Sequence, residues 1–448
     1  MKLEVIDNNR IFHSLLIFII LLSTILNYNA NVMGPMNVLY EEFILFFKSG
    51  FDYNYIFKYS NYTFPMWGFG LVMYLFPSKI YIIFFQQIVT FFTICFFDKT
   101  VNRYNLLTNI YKFRWGLLLS FTLYFFHSSA YPYSLGSNLL ILGLLFLINF
   151  YFNESKVDIV LSSICLGIML NFRSDYYFFI YPLFLLIIVY AYKKSSKSVL
   201  LMSIIWLVII QSFLIPWRVY TFNRTGESLS VSTNSGHVFF ISLGQLPNNK
   251  WGITEEDDDP VMYSYLKRQF PKENVYSLSF RENKYLQKKF IELVLNDPLE
   301  FVKKCGYNAY RLIRTPLYTG NLETLFRNSS IDKKVVKNKI KFYLNNFNFI
   351  RLLNYVFFQE GRSFIISGII NLLSALFFIL FLIHFFRFYL NGIFRFNFFN
   401  YLLFLIFSYQ ISLSVFSFHM PIYNMNIYLF YLFGLFYFTD NLNKKIWL

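Results

Sequence analysis

Apolar runs long enough to cross a lipid bilayer recur along this 448-residue chain, and they constrain its fold more than any other feature. A helix needs roughly 20 apolar residues to cross the hydrocarbon core. The runs do not alternate between polar and apolar residues, so they predict helices and not the strands of a closed barrel. The sequence therefore predicts an all-α polytopic membrane protein with about ten transmembrane helices, near residues 11–30, 80–97, 115–130, 136–152, 157–172, 178–192, 198–216, 363–386, 398–416 and 422–439.

The composition agrees with a membrane protein and argues against other classes. Hydrophobic residues make up 56% of the chain, which is too much for one water-soluble core. The net charge of +16 comes from Lys and Arg in short connections and one polar segment, without the interleaved aromatic residues of a nucleic-acid surface. Cys95, Cys165 and Cys305 lie too far apart in sequence for a disulfide framework or a zinc site. We therefore expect no nucleic-acid partner, no metal and no cofactor.

The basic residues of the short loops predict the orientation. Under the ten-span count they fall on the same side as the N-terminus, which is the cytoplasmic side by the positive-inside rule. They are Lys99, Arg103, Lys112, Arg114, Lys193, Lys194, Lys197, Arg387, Arg395, Lys444 and Lys445. The sequence thus predicts a multi-pass protein of the cell membrane, such as a bacterial inner membrane, with both termini in the cytoplasm.

Three regions follow from this topology. Residues 1–216 form an N-terminal transmembrane domain with a first outer loop at 31–79, and residues 362–448 form the C-terminal transmembrane helices. Between them, residues 217–361 have the composition of a small, mainly helical extracytoplasmic domain. In that domain Asp297-Pro298 predicts a helix restart, because aspartate caps a helix and proline suits its first turn. The basic amphipathic stretch at 333–354 is expected to lie on the membrane surface.

Charged residues at the ends of the spans are the candidates for chemistry, because ionisable groups near hydrocarbon are costly. Arg173 fits a phosphate-binding guanidinium that Asp175 orients, and it fits equally a loop pair that faces water. Arg218 and Arg224 precede a stretch rich in Gly, Ser and Asn, which suits a backbone folded around an anionic head group. Interfacial snorkelling of Arg218 is the alternative interpretation.

The first outer loop supplies the candidate bases. A carboxylate beside the membrane, at Glu41, Glu42 or Asp52, fits a general base that deprotonates an acceptor hydroxyl. The alternative is a solvated amphipathic helix whose acids pair with lysine or face water. Four polar residues of the same outer face, without metal-ligand spacing, are assigned to the substrate pocket: Asp175, Asn234, His237 and His419.

Four stretches resemble the polytopic glycosyltransferases that use polyprenyl-phosphate sugars. This superfamily has the GT-C fold and includes protein mannosyltransferases and lipid A aminoarabinose transferases. The most specific match begins at Pro216-Trp217-Arg218 and continues through Asn234-Ser-Gly236 to Trp251-Gly252. The other three stretches are residues 34–50, which are similar to the first outer loop, 171–175, which resemble the arginine turn, and 290–301, which are similar to the next helix.

The resemblance implies outer juxtamembrane helices and a small extracytoplasmic domain. It also implies transfer of a hexosyl or pentosyl group from a polyprenyl-phosphate donor to a lipid, glycan or protein acceptor, with inversion at the anomeric carbon. A first-loop carboxylate would be the base, and the three arginines named above would stabilise the departing phosphate. The family's acidic residue before the tyrosine is absent from Gly34-Pro-Met-Asn37-Val-Leu-Tyr40, and Glu41 and Glu42 follow the tyrosine instead.

Two other functions are compatible with the sequence. A polymerase or ligase of surface polysaccharide also has many spans, a large outer loop and arginines that bind lipid-linked pyrophosphate. Helices lying on the membrane after the first span favour the transferase over this alternative. A transporter needs ionisable residues in mid-membrane and broken helices, whereas the run at 398–416 carries Gln410 and serines but no charge.

Overall fold

The structure is a computed structural model that describes residues 9–29, 48–49, 67–76, 78–120, 123–124, 126, 133–226, 235–271, 275, 279–317, 333–359, 362–391 and 397–446. All regular secondary structure in these ranges is helical. The first nine helices are α1 (Asn9–Asn29), α2 (Trp67–Leu75), α3 (Lys79–Arg103), α4 (Ile110–Leu118), α5 (Tyr133–Asn153), α6 (Lys156–Leu170), α7 (Ile180–Lys193), α8 (Lys197–Ser212) and α9 (Ile215–Thr225). The remaining ones are α10 (Ser235–Ser242), α11 (Pro260–Gln269), α12 (Phe280–Asn296), α13 (Pro298–Arg314), α14 (Lys333–Asn345), α15 (Phe349–Phe358), α16 (Arg362–Asn391), α17 (Phe398–Phe416), α18 (Pro421–Asn424) and α19 (Tyr428–Ile446).

Six helical segments in the described ranges are long and apolar enough to cross a membrane. They lie in α1, α3, α5, α7 with the short turn before it, α16 and α17. The pair α8 and α9, bent by 48° at its break, raises the number to at most seven if it counts as one span. The prediction of an all-helical chain with several membrane-crossing helices is confirmed, whereas the count of ten is not.

Three of the remaining predicted spans fall on shorter or more polar helices. α4 has nine residues and begins where the Asn109 side chain accepts hydrogen bonds from the N–H groups of Tyr111 and Lys112. α6 has 15 residues and begins at a Ser155 cap, so at 1.5 Å per residue it is about 22 Å long. α19 carries Asp440 near its end. These helices are shorter or more polar than the six segments above, so the described ranges support six or at most seven membrane-crossing segments.

Aromatic rings fill the interior of the main helical bundle. The Phe97 ring of α3 lies 5.7 Å from Phe113, 5.1 Å from Phe430 and 5.7 Å from Phe433, measured between centroids. Tilted and edge-to-face contacts of this kind are favourable because of the ring quadrupole. The buried phenylalanines of the described residues therefore contribute directly to helix packing.

One end of the bundle, named here the Arg114 end, is closed by polar contacts between distant helices. Arg114 of α4 is buried and donates two hydrogen bonds to Asp98 of α3, each 2.9 Å long. Its Nη2 also donates to the Asn9 side chain at 2.7 Å. The sequence placed Arg114 in a loop, but it lies in a helix, where its charge is paired and its guanidinium is removed from water.

A small helical subdomain, formed by α10 to α13, has a hydrophobic core separate from that of the bundle. Its buried residues are Phe240, Ile241, Leu243, Ile253, Met262, Leu266 and Leu286. The predicted restart is confirmed, since α12 ends at Asn296, Asp297 has φ −132°, and α13 begins at Pro298. α13 packs against α16 and α17, which positions the subdomain over one end of the bundle.

Candidate functional site

The predicted pair of Arg173 and Asp175 forms a bidentate salt bridge in the turn after α6. Arg173 Nε donates to Asp175 Oδ1 at 3.0 Å, and Nη2 donates to Oδ2 at 2.6 Å. The Arg173 side chain is 2% exposed and that of Asp175 is 29% exposed. Arg173 therefore does not face water, and its carboxylate partner reaches the surface only in part. A planar guanidinium suits this paired geometry.

Two distant segments complete the surroundings of Arg173. Its Nη1 donates to Asn426 Oδ1 at 3.0 Å, and Ser137 donates to the same oxygen at 2.7 Å. The guanidinium also lies 5.1 Å from the centre of the Tyr423 ring. A Cβ at Gly136 would stand 2.6 Å from Arg173 Cγ, so the close approach of α5 requires glycine there. We name this end of the bundle the Arg173 end.

A chain of hydrogen bonds leads from this turn to the exit of the subdomain. The Tyr409 hydroxyl of α17 donates to the Asp175 backbone carbonyl at 2.6 Å. On the next residue of α17, Gln410 accepts a hydrogen bond from the Tyr176 hydroxyl and donates to Asn424 Oδ1 at 3.1 Å, and Asn424 donates to the Pro316 carbonyl at 2.7 Å. Segments that the charge pattern assigned to one side of the membrane thus meet at one end of the bundle.

Arg218 lies beside the same turn in different surroundings. From α9 its Nη2 donates to the Tyr177 hydroxyl at 3.1 Å and to Gln211 Oε1 at 2.6 Å. The side chain is half-buried, in contrast to the enclosed Arg173. Arg224 lies in the last turn of α9, and its side chain is outside the described part of the chain.

His237 lies in the subdomain, in a separate environment from the Arg173 network. Its ring is buried, and Nε2 is 3.1 Å from Asp257 Oδ1. The hydrogen bond with His237 lowers the pKa of the Asp257 carboxyl. His237 Nδ1 has no hydrogen-bond partner among the described residues.

His419 is held between the bundle and the subdomain by its backbone. Its N–H donates to Gln245 Oε1 at 2.8 Å, and its carbonyl accepts from Gln245 Nε2 at 3.0 Å. The ring is 1% exposed, and neither ring nitrogen has a hydrogen-bond partner in the described ranges. Burial and the nearby Arg311 lower the pKa of His419 to about 4. The imidazole is therefore neutral at pH 7 and does not add a positive charge for a phosphate.

Lys304 is a buried cation at this junction that the sequence did not single out. Its Nζ donates to the carbonyls of Phe416 at 3.0 Å, Val415 at 3.5 Å and Ser417, at the C-terminal end of α17. These carbonyls lack partners within the helix, and the helix dipole favours a cation there. The side chain has no exposed surface, and this burial lowers its pKa to about 8.

An apolar groove of about 370 Å³ separates the subdomain from α17. Phe239, Phe290 and Phe301 form its subdomain wall, and the opposite wall consists of Tyr409, Ser412, Leu413, Phe416 and Ser417 of α17 and the loop after it. Tyr409 therefore lines the groove with its ring while its hydroxyl contacts the turn that carries Arg173. Periodicity predicts the helices of each wall but not their meeting, because the two walls are more than 100 residues apart in the sequence.

The predicted bases Glu41, Glu42 and Asp52, and the predicted pocket residue Asn234, lie outside the described residues. Among the residues that are described, no group of three or more His, Cys, Asp or Glu side chains is arranged to hold a metal ion. No protein-family model, curated protein or solved structure matches this chain. The family resemblance accordingly depends on the sequence stretches quoted above.

Proposed function

We propose that this protein is a membrane glycosyltransferase that moves a hexosyl or pentosyl group from a polyprenyl-phosphate donor to a lipid, glycan or protein acceptor. The main support is the position of Tyr409, which joins an apolar groove to a network of charged and polar groups. A polyprenyl-phosphate substrate has the same two parts, a long hydrocarbon chain and an anionic head. A groove of this volume is within the usual range for ligand sites, about 300–1,000 Å³.

The described side chains suggest different roles for the two arginines. Arg218 is half-buried and has surface available to a lipid phosphate, so it is the better candidate for direct contact with the donor. Arg173 already donates to Asp175 and Asn426, and in this proposal it fixes the turn while the partly exposed Asp175 carboxylate faces the substrate. Arg224 remains a candidate phosphate ligand, and Glu41, Glu42 and Asp52 remain candidate bases.

In the proposed reaction, a carboxylate of the first loop accepts the proton of the acceptor hydroxyl. The hydroxyl oxygen attacks the anomeric carbon, and the bond to the phosphate oxygen breaks with inversion. The arginines stabilise the charge on the departing polyprenyl phosphate. Asn234, His237 and His419 are proposed to line the sugar or acceptor pocket, and the neutral His419 ring would bind by hydrogen bonding.

The topology belongs to the same proposal. We infer about ten spans, cytoplasmic termini and an extracytoplasmic segment at 217–361 in the cell membrane. The Arg173 end would then face outward, where lipid-linked sugars are used after translocation. Accessibility of cysteines placed in the subdomain, measured from each side of sealed vesicles, tests this orientation.

A transfer assay tests the activity. The full chain is reconstituted in liposomes with polyprenyl-phosphate sugars, and release of polyprenyl phosphate is measured by mass spectrometry. Arg218→Ala is expected to lower kcat/KM on the order of a hundredfold, because such a contact stabilises charge in the transition state. The control is Arg268→Ala, which removes an exposed guanidinium of α11. Equal activity in the two variants would remove Arg218 from the donor site.

The groove is tested by the length of the donor chain. Ser412→Phe would fill part of the groove, and we expect a raised KM for long-chain donors with little change for donors bearing a short chain. Tyr409 would keep its hydrogen bond to Asp175 in this variant. An equal effect on both donors would mean that the groove does not bind the hydrocarbon.

Two observations bear on the alternative functions. The nine-residue helix α2 is too short to span, and its Gly68 lies against Phe172, where a Cβ would approach the ring to 2.5 Å. A short helix after the first span favours the transferase over a polysaccharide polymerase or ligase. The bent pair α8 and α9 is the feature that favours a transporter. Release of polyprenyl diphosphate in the assay would indicate the polymerase, and substrate flux without cleavage would indicate the transporter.

A further inference from the structure

Helices α14 and α15 form a hairpin, residues 333–358, directly before the span in α16. The buried side chains Val336, Tyr355 and Val356 hold the two helices together, and Lys339 Nζ lies 4.7 Å from the centre of the Tyr355 ring. Phe347 adopts φ +49° at the turn, and the Asn348 side chain caps α15 through the Arg351 N–H. The hairpin is therefore a defined unit with its own internal contacts.

The tip of the hairpin presents large apolar side chains that nothing in the described structure covers. Ile350 is 84% exposed and Phe347 is 79% exposed. Phe342, Phe349 and Leu353 beside them are also more than half exposed. A contiguous apolar patch of this kind marks a surface that meets a partner or a membrane.

The charge of the hairpin is of one sign. The segment contains six basic residues and no acidic residue, and the basic ones are Lys333, Lys334, Lys337, Lys339, Lys341 and Arg351. Lys339, Lys341 and Arg351 are exposed. A partner of complementary chemistry carries negative charge next to an apolar layer, and an anionic lipid leaflet has both.

The chain connection brings the hairpin to the bilayer surface. Phe358 ends α15, and α16 begins at Arg362, so the connection spans at most about 14 Å. The apolar part of α16 that can cross the membrane starts at Gly368. α15 also packs against α16. The hairpin thus cannot move far from the head-group layer at the Arg173 end.

We propose that the hairpin at 333–358 is a lipid-binding element that inserts the Phe347 and Ile350 side chains into one leaflet and binds anionic phospholipid head groups through Lys339, Lys341 and Arg351. Apolar insertion combined with basic side chains at phosphate level is the general mode of interfacial helices. The element is distinct from the groove and the Arg173 network. In this proposal the hairpin selects anionic lipids around the protein, independently of the reaction at the site.

Depth measurements test the insertion. A nitroxide is attached at Ile350→Cys in the full chain, with Cys95, Cys165 and Cys305 replaced by Ala, in vesicles that contain phosphatidylglycerol. The label should be accessible to oxygen and protected from a water-soluble nickel complex. The matched control is a label at Asp257→Cys, an exposed position of the subdomain that should be open to the nickel complex.

The role of the basic side chains is tested by measuring which lipids the protein prefers, in the protein that keeps its three natural cysteines. Replacement of Lys339, Lys341 and Arg351 by Gln should lower the preference for spin-labelled phosphatidylglycerol over phosphatidylcholine by roughly threefold, since each basic group near an anionic surface contributes to binding. The same three-charge reduction at Lys267, Arg268 and Lys288 of the subdomain is the control and should leave the preference unchanged.

Three results would overturn the proposal. A label at position 350 that is open to the nickel complex would place the tip in water. A label reached by neither reagent would place it in a protein contact, such as a second copy of the chain. Equal lipid selectivity in the two charge-reduced variants would show that the hairpin lysines and arginine do not bind anionic head groups. If Ile350→Cys does not fold, quenching of Phe347→Trp by brominated lipids, measured against the unsubstituted protein, replaces the depth readout.

Discussion

Replacement of Lys304 by methionine tests how the subdomain is attached to the bundle. Methionine keeps the length and apolar stem of the lysine but removes the ammonium group. Among the described donors, Asn308 still reaches the carbonyls of Val415 and Ser417, at 3.3 and 3.4 Å. The Phe416 carbonyl loses the Lys304 donor. An acceptor left without a partner in this position costs about 1–3 kcal/mol.

A second contribution to the free energy of unfolding opposes the loss of this hydrogen bond. The native pKa of Lys304 is about 8, below the ordinary 10.5, so the folded state disfavours the charged form. At about 1.4 kcal/mol per pH unit, this difference corresponds to about 3 kcal/mol at pH values below 8. Methionine removes that penalty. At pH 7 the two terms nearly cancel, and we expect Lys304→Met to lie within about 2 kcal/mol of the natural protein.

The pH dependence separates the two terms. Between pH 8 and pH 10.5 the folded protein releases the Lys304 proton while the unfolded chain keeps it, so the contribution of this group to stability rises with pH. The natural protein should therefore gain about 3 kcal/mol relative to Lys304→Met across this interval, because the variant lacks the titrating group.

The assay is the apparent Tm in detergent, recorded across this pH interval for the natural protein and for the variant. Lys303→Met is the matched control, because Lys303 is the preceding residue, is mostly exposed and pairs with Glu300. Its difference from the natural protein should stay flat from pH 8 to pH 10.5. A flat difference for Lys304→Met as well would refute the buried, charged environment assigned to Lys304.

Two further predictions concern the turn and the subdomain. Asp175→Asn leaves the buried Arg173 without its charge partner and should lower the free energy of unfolding by about 3 kcal/mol. The control Asp297→Asn breaks an exposed pair and should lower it by less than about 1 kcal/mol. Equal losses of stability in chemical unfolding would contradict the buried pair. Gly244→Ala places a Cβ 2.1 Å from the Thr254 backbone and should lower the apparent Tm strongly. Gly306→Ala lies in a helix with open space around it and should raise the free energy of unfolding by about 0.5–1 kcal/mol. Similar Tm values for the two alanine variants would show that the Gly244 contact is not tight.

Local signals in the sequence predicted local structure well. Asp297-Pro298 predicted the restart between α12 and α13 because a proline in the first turn acts locally, although the Asp297 side chain makes no capping hydrogen bond. The pairing of Arg173 with a carboxylate two positions later was foreseeable for the same reason. The basic amphipathic stretch also formed helices near the predicted bounds.

The contacts that shape the site were not predictable in this way. Asn426 lies 253 residues from Arg173, and the carbonyls that Lys304 binds lie more than 110 residues from it. No single-sequence pattern links such positions, because packing alone brings them together. The count of ten spans is not confirmed for a different physical reason, since hydropathy alone does not give the length of a helix, and the helices that begin at the Asn109 and Ser155 caps have only nine and 15 residues.

The attachment of the subdomain also decides where the chain can be cut. The subdomain forms hydrogen bonds with residues 415–419, in the last part of the protein, through Gln245, Lys304 and Asn308. A fragment excised at residues 235–317 would present these groups, together with the Phe301 wall of the groove, to bulk solvent. Secretion or crystallisation of the fragment alone would therefore need the segment after α17 fused back onto it.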